Sequence, residues 1–256
     1  MIFETHAHYD DERFDEDRDI LIEKLFQKNI CNIINVGASI ESTKTTIELA
    51  KKYENMYAAA GVHPSDIAGL NEETLAWLKE QTKDPKVIAV GEIGLDYYWD
   101  KEEEVQKAQR YWFAQLMGLA RESQLPVIIH SRDAAEDTMR VMKEVHAEEI
   151  PGVIHCYSYS PEMAKEFIKM GYYIGVGGVV TFKNAKKLKE TVMQIPLERI
   201  LLETDSPYMA PEPHRGSRND SGNLVYVAEK IAELKGITAK EVENATLANA
   251  RKLFLT

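Results

Sequence analysis

The chain has 256 residues, 44% of them apolar, which suits one large domain with a sizeable core and argues against disorder. Lys and Arg number 31 against 42 Asp and Glu, and the resulting charge of −11 opposes nonspecific attraction to polyanions. It does not exclude a phosphate substrate, because bound cations would supply positive charge locally.

No apolar run reaches the roughly 18 residues of a membrane span, and no basic-then-apolar signal peptide is seen. A cytoplasmic location is expected. Cys31 and Cys156 make neither a disulfide framework nor a CxxC pair, and both are expected to be reduced and buried in strands.

In chain order, short apolar runs alternate with segments of helical periodicity. The predicted strands are IFETHAH (2–8), CNIINVG (31–37), MYAAAGV (56–62), KVIAVGE (86–92), PVIIH (126–130), GVIHC (152–156), YYIGVGG (172–178) and ILLETD (200–205). The intervening segments are amphipathic. In the stretch 102–125, Val105, Ala108, Trp112, Leu116 and Leu119 recur at helical spacing. Helix starts are marked by Asn71 before Glu72 and Glu73, by Ser160 before Pro161, and by the Thr238/Glu241 capping-box pair. Eight strand–helix units predict an α/β fold, a (β/α)8 TIM barrel forming a single domain over residues 1–256. The alternative, a doubly wound open sheet, would carry a Gly-rich phosphate loop after its first strand, and none is present.

In such a barrel chemistry sits at the C-terminal ends of the strands. Strand 1 ends in His6 and His8, strand 4 in Glu92, strand 5 in His130, strand 6 in His155 and strand 8 in Asp205. Residues i and i+2 of a strand share a face, so His6 and His8 can reach one centre. A lone strand histidine is ordinarily a hydrogen-bonded structural residue. Here four of the seven histidines fall at predicted strand ends together with two carboxylates. Imidazole and carboxylate donors suit one or two divalent cations, with Glu92 as the bridging candidate. His63, in GVHP, faces the same mouth and is assigned to substrate rather than metal. His146 reads as solvated surface, and strand alternation points Cys156 into the core.

These motifs resemble the TatD family of metal-dependent deoxyribonucleases, within the amidohydrolase-like barrels. The likeness runs through IFETHAHYD, GVHP, VGEIGLDYYWD, PVIIHSRDAAED, GVIHCYS, GGVVTFKNA, IPLERILLETDSP and TLANARKLF, and so spans the chain. It implies DNA phosphodiester hydrolysis and places His6, His8, Glu92, His130, His155 and Asp205 at the family's metal-ligand positions. One departure is visible: the family pattern has Asp where this chain has Glu4. Glu4 shares the parity of His6 and His8 and is expected behind the ligands, where it would affect their orientation.

The expected chemistry is hydrolysis of DNA at two divalent ions (Mg2+, Mn2+ or Zn2+), with 3′–5′ exonuclease action on single-stranded ends. Asp205 is the expected general base, Glu92 the bridge, and Glu203 an orienting partner for a ligand histidine. Substrate contacts are assigned to His63, Arg132 and Lys183, with Asn184 beside it. Arg132 has a competing reading as an ion-pair partner of Asp133 or Glu136. Arg215 and Arg218 are candidates for drawing in a nucleic-acid backbone. A monomer without an obligate protein partner is expected. The competing function on the same barrel is hydrolysis of a small amide, lactone or phosphoester. Glu92, where many amidohydrolases carry a carboxylated lysine, favours the nuclease branch.

Overall fold

A computed structural model describes residues 1–255. Eight strands form one parallel sheet in sequential order: β1 (Ile2–Ala7), β2 (Ile30–Val36), β3 (Met56–Ala60), β4 (Val87–Asp96), β5 (Val127–Arg132), β6 (Gly152–Ile154), β7 (Tyr173–Val176) and β8 (Ile200–Leu202). Helices α1 (Arg18–Phe26), α2 (Ile40–Lys52), α3 (Glu72–Gln81), α4 (Glu103–Ser123), α5 (Ala135–Glu144), α6 (Pro161–Lys169), α7 (Lys186–Gln194) and α8 (Leu224–Lys235) follow the strands, and α9 (Ala239–Phe254) closes the chain. This is a (β/α)8 barrel in a single domain. Among the described residues no helix is long and apolar enough to cross a membrane.

The caps follow the sequence cues with one change of partner. Ser160 accepts from Met163 N, and Thr238 and Glu241 form a reciprocal box. Asn71 also heads a box, closed by Thr74 rather than by the neighbouring glutamates. Helix α4 covers Glu103–Ser123, as the periodicity requires.

Each strand contributes to an apolar interior made of Phe3, Ile34, Ala59, Ala89, Ile128, Val153, Tyr173 and Leu201, against which α9 sets Ala250, Leu253 and Phe254. A larger apolar layer joins strands to helices. The seam between β1 and β8 is nearly closed, and it is stitched mostly past the end of β8. Thr5 Oγ1 donates to Leu202 O at 2.9 Å, Asp205 N to His6 O at 2.9 Å and His8 N to Ser206 O at 2.8 Å. The seam thus fixes three candidate site residues, His6, His8 and Asp205, by main-chain bonds.

Strand β4 differs from expectation. It does not stop at Glu92 but runs on to Asp96, with an irregularity against β5 between Val90 and Ile93 and a cis peptide bond between Gly91 and Glu92. Gly94 makes the continuation possible. Its φ is +143°, and a β-carbon there would fall 1.9 Å from His130 O, so only glycine permits the two strands to pass so closely.

Candidate metal centre

A cavity of about 690 Å³ opens at the C-terminal end of the barrel and is lined by residues within or following all eight strands. At its floor four imidazoles surround two carboxylates. His6 Nε2 lies 3.1 Å from His8 Nε2, 3.4 Å from Glu92 Oε2 and 3.8 Å from Asp205 Oδ1. His8 Nε2 lies 3.8 Å from Glu92 Oε2 and 3.4 Å from Asp205 Oδ1. The other oxygen of Glu92 serves a second group: Oε1 is 2.7 Å from His130 Nδ1 and 3.8 Å from His155 Nε2. His155 Nε2 in turn lies 3.7 Å from Asp205 Oδ1. One carboxylate therefore addresses two sets of imidazoles with separate oxygens.

The hydrogen bonds behind the rings show which nitrogen is free. His8 Nδ1 donates to the Val36 carbonyl at 2.8 Å, and a carbonyl can only accept, so in the neutral ring Nε2 carries a lone pair toward the cluster. His130 Nε2 donates to Asp96 Oδ2 at 3.0 Å, which leaves Nδ1 as its inward donor atom. His155 Nδ1 stands 3.1 Å from Glu203 Oε1 as an ion-pair contact without hydrogen-bond geometry, and its Nε2 faces inward. These are the partners that orient imidazole ligands in metal sites. Four donors around one cation at about 2.1 Å would stand about 3.4 Å apart. Five of the six separations in the His6, His8, Glu92 and Asp205 group run from 3.1 to 3.8 Å. His6 Nδ1, His155 Nδ1 and Glu203 Oε2 are buried without hydrogen-bond partners among the described residues. The donor chemistry and spacing fit divalent metal ions.

Without a cation, protons balance the carboxylates. Burial would raise the Glu92 carboxyl, but His6, His130 and His155 outweigh it and hold it well below the ordinary range. Asp205 is lowered likewise: burial opposes ionisation, while His8 and His155 favour it. Burial would depress His8 and His155. Asp205 overrides this for His8, pushing it up to about 9, and Glu203 does so for His155, pushing it up to about 10. His6 is lowered by burial and by His155, whose ring stacks on it with centroids 3.4 Å apart.

The six expected ligand residues thus converge, and so does Glu203, whose Oε1 also accepts from Cys156 N at 2.6 Å. Asp96 was missed by the sequence reading because β4 was ended four residues early. A continued strand places residue 96 on the face of residue 92, and that parity was the available signal.

The remaining assignments divide. His63 lines the cavity, with its ring 4.4 Å from that of His130. Its Nδ1 accepts from Ser65 N at 3.2 Å, so the neutral ring must carry its proton on Nε2, and burial holds it neutral by lowering its pKa to about 4. Arg132 lines the cavity too. It pairs with neither Asp133 nor Glu136 but lies over the Tyr98 ring at 3.8 Å. Lys183 is exposed and is not part of the cavity lining, whereas Val179 and Leu188 on either side of it are.

Arg218 is a structural clamp. It holds Asp17 through two bonds of 2.7 and 2.6 Å and also donates to Arg13 O, so it is not free for a nucleic-acid backbone. Arg215 sits over Phe182 near Glu212.

One further expectation is corrected, and another is sharpened. Cys156 is half-buried and lines the cavity instead of entering the core. Strand β6 ends at Ile154, and Cys156 adopts φ +45°, so strand alternation no longer governs it. Glu4 reaches no ring nitrogen. Its Oε1 accepts from His6 N and Thr204 N, and its Oε2 from Thr204 Oγ1, binding β1 to the stretch that carries Asp205.

An imidazole–carboxylate cluster of this make at the mouth of a (β/α)8 barrel defines a metal-dependent hydrolase. The sequence model of the family described as TatD related DNase matches residues 3–255. YabD of Bacillus subtilis, named as an uncharacterized metal-dependent hydrolase, is 45% identical over 254 residues and covers 99% of each chain. YcfH of Escherichia coli, named likewise, is 33% identical and covers 99% of this chain and 96% of its own. The crystal structure of YjjV, a TatD homologue from Escherichia coli, superposes with a TM-score of 0.92 at 31% identity and covers 100% and 98% of the two chains. The chain belongs to the TatD family of metal-dependent hydrolases.

Proposed function

We propose that the chain hydrolyses DNA phosphodiester bonds at two divalent cations, Mg2+, Mn2+ or Zn2+, releasing nucleotides from the 3′ ends of single strands. The observation that carries this reading is the division of labour within Glu92. Its Oε2 faces His6 and His8 while its Oε1 faces His130 and His155, the arrangement a bridging carboxylate requires. His6, His8, Glu92 and Asp205 would hold one ion; Glu92, His130 and His155, with Asp205 nearby, would hold the other. When bound, the cations polarise the phosphate and acidify water.

The protein's own groups do the rest. Asp205 is the more open of the two central carboxylates, with its side chain 20% exposed against 5% for Glu92, and is the better placed of the two to accept a proton from the attacking water. The neutral His63 ring offers Nε2–H as a donor, and Arg132 offers a guanidinium, to the phosphate oxygens. Lys183, outside the cavity, would meet only phosphates further along a strand. The apolar interior fills the barrel beneath the cluster, so the cavity is blind and suits a strand terminus better than a continuous duplex.

The test is a time course with single-stranded DNA labelled at the 5′ end, run in chelator and then with Mg2+ or Mn2+, beside RNA, a simple phosphodiester and an amide. A metal-dependent ladder shortening from the 3′ end is expected. Turnover of the amide with none of DNA would overturn the reading in favour of a small-molecule hydrolase.

A further inference from the structure

Nine large apolar side chains are exposed among the described residues, and four of them stand in two adjacent pairs, Tyr98–Trp99 and Tyr208–Met209. Trp99, Tyr208 and Met209 line the same cavity as Glu92, His130 and Asp205. Trp99 is 67% exposed, a large cost in hydration for an indole that no internal packing requires. Its position is nevertheless held. Asp96 Oδ1 accepts from Tyr98 N at 2.9 Å and from Trp99 N at 3.0 Å, while Oδ2 of the same carboxylate takes His130 Nε2 at 3.0 Å. The Tyr98 ring meets the indole edge-on at 4.7 Å, and the Arg132 guanidinium lies 3.8 Å over Tyr98 and 5.6 Å from Trp99. An indole, a phenol and a guanidinium thus form one shelf whose anchor also orients a candidate ligand of the metal centre. Tyr208 is fixed as well, through its hydroxyl to Asp11 Oδ2 at 3.1 Å and by Arg13 over its ring.

We propose that Trp99 is a stacking platform for the base of the nucleotide at the strand terminus, with Arg132 beside it for that nucleotide's phosphate. The proposal rests on the DNA reading above and adds to it the group that recognises the nucleoside. Stacking on an indole needs an unstacked, unpaired base and is indifferent to which base it is. The shelf therefore selects frayed or single-stranded ends without selecting sequence.

The experiment measures, by fluorescence anisotropy, the affinity of the Mg2+-loaded protein for a 5′-labelled oligothymidylate with hydrolysis-resistant phosphorothioate linkages. The 3′-terminal residue is either thymidine or an abasic sugar. The parent is expected to prefer the base-bearing end by about tenfold, the lower part of the range for one base on one aromatic ring. Trp99→Ala should erase that preference and Trp99→Phe should keep most of it. A parent without the preference, or a Trp99→Ala variant weakened equally toward both oligonucleotides, overturns the platform even where unprotected DNA is degraded. Base-dependent binding through Trp99 with no degradation upholds the platform and overturns the nuclease reading instead. Failure to bind either oligonucleotide overturns the platform too.

Discussion

Replacing Asp96 by Asn tests the inferred ring orientation without altering size. The amide oxygen of Asn can still accept from Tyr98 N and Trp99 N, as Oδ1 does now. The amide NH2 then faces His130 Nε2 at the 3.0 Å now spanned by a bond to Oδ2. Two N–H groups cannot share that line, so the imidazole must move its proton to Nδ1, the nitrogen 2.7 Å from Glu92 Oε1. The lone pair that would bind a cation is lost from the cluster. Removing such an orienting partner ordinarily lowers metal affinity about 10- to 100-fold, equivalent to about 1.4–2.7 kcal/mol. Calorimetric titration of the metal-free protein with Mn2+ or Zn2+ reads the affinity, and circular dichroism melting shows whether the barrel survives. An intact Asp96→Asn barrel that binds metal within twofold of the parent would refute the assigned tautomer.

Asp205→Asn should abolish turnover and leave the fold largely intact, since Asn tolerates the φ of +62° found at this position; near-full activity in the DNA assay would remove Asp205 from its role. Cation uptake should expel protons, because His8 and His155 hold theirs up to about 9 and about 10 and must surrender them to coordinate. Metal affinity should therefore rise with pH from 6 toward 9, and titrations in buffers of different ionisation enthalpy at neutral pH should count the released protons. No released protons would contradict the charge balance described for the metal-free cluster. Glu4 gives a stability prediction of opposite sign to an ordinary carboxylate. Burial lifts its pKa to about 7, against hydrogen bonds from Thr204 and His6, so the metal-free fold binds a proton that the unfolded chain has released. That stability is complete below about 4.5 and lost as pH rises through about 7, worth up to about 3 kcal/mol for a 2.5-unit shift. Glu4→Gln should gain on the parent by that order between pH 5 and pH 8 in urea denaturation, and an unchanged difference across that range would show that Glu4 stays ionised.

The barrel was legible because eight apolar runs at regular spacing, each followed by an amphipathic segment, bury their faces in few other ways. The six central donors were legible for the same reason: the ends of parallel strands share one rim, so ligand-type residues at those ends must approach one another. Glu203 could be read two residues before Asp205 on the same run. Asp96 was hidden behind a strand end placed at the first charged residue, because only the glycine at position 94 and the close pass over His130 show that β4 continues. Local chain pattern also misplaced Cys156, whose positive φ follows from the turn beyond β6. It left Arg218 as a free cation when Asp17, 201 positions away, claims it.

What the sequence by itself determined is the fold class and the identity of the donor residues, since periodicity and residue type are local properties. The tertiary structure decided which nitrogen of His8 and of His130 is free, which carboxylate stands beside which ring, and that the Glu4 carboxyl binds the main chain of His6 and Thr204 rather than a ring nitrogen. Those outcomes depend on partners such as Val36, Asp96 and Thr204, brought into hydrogen-bond range only when distant segments close around the mouth.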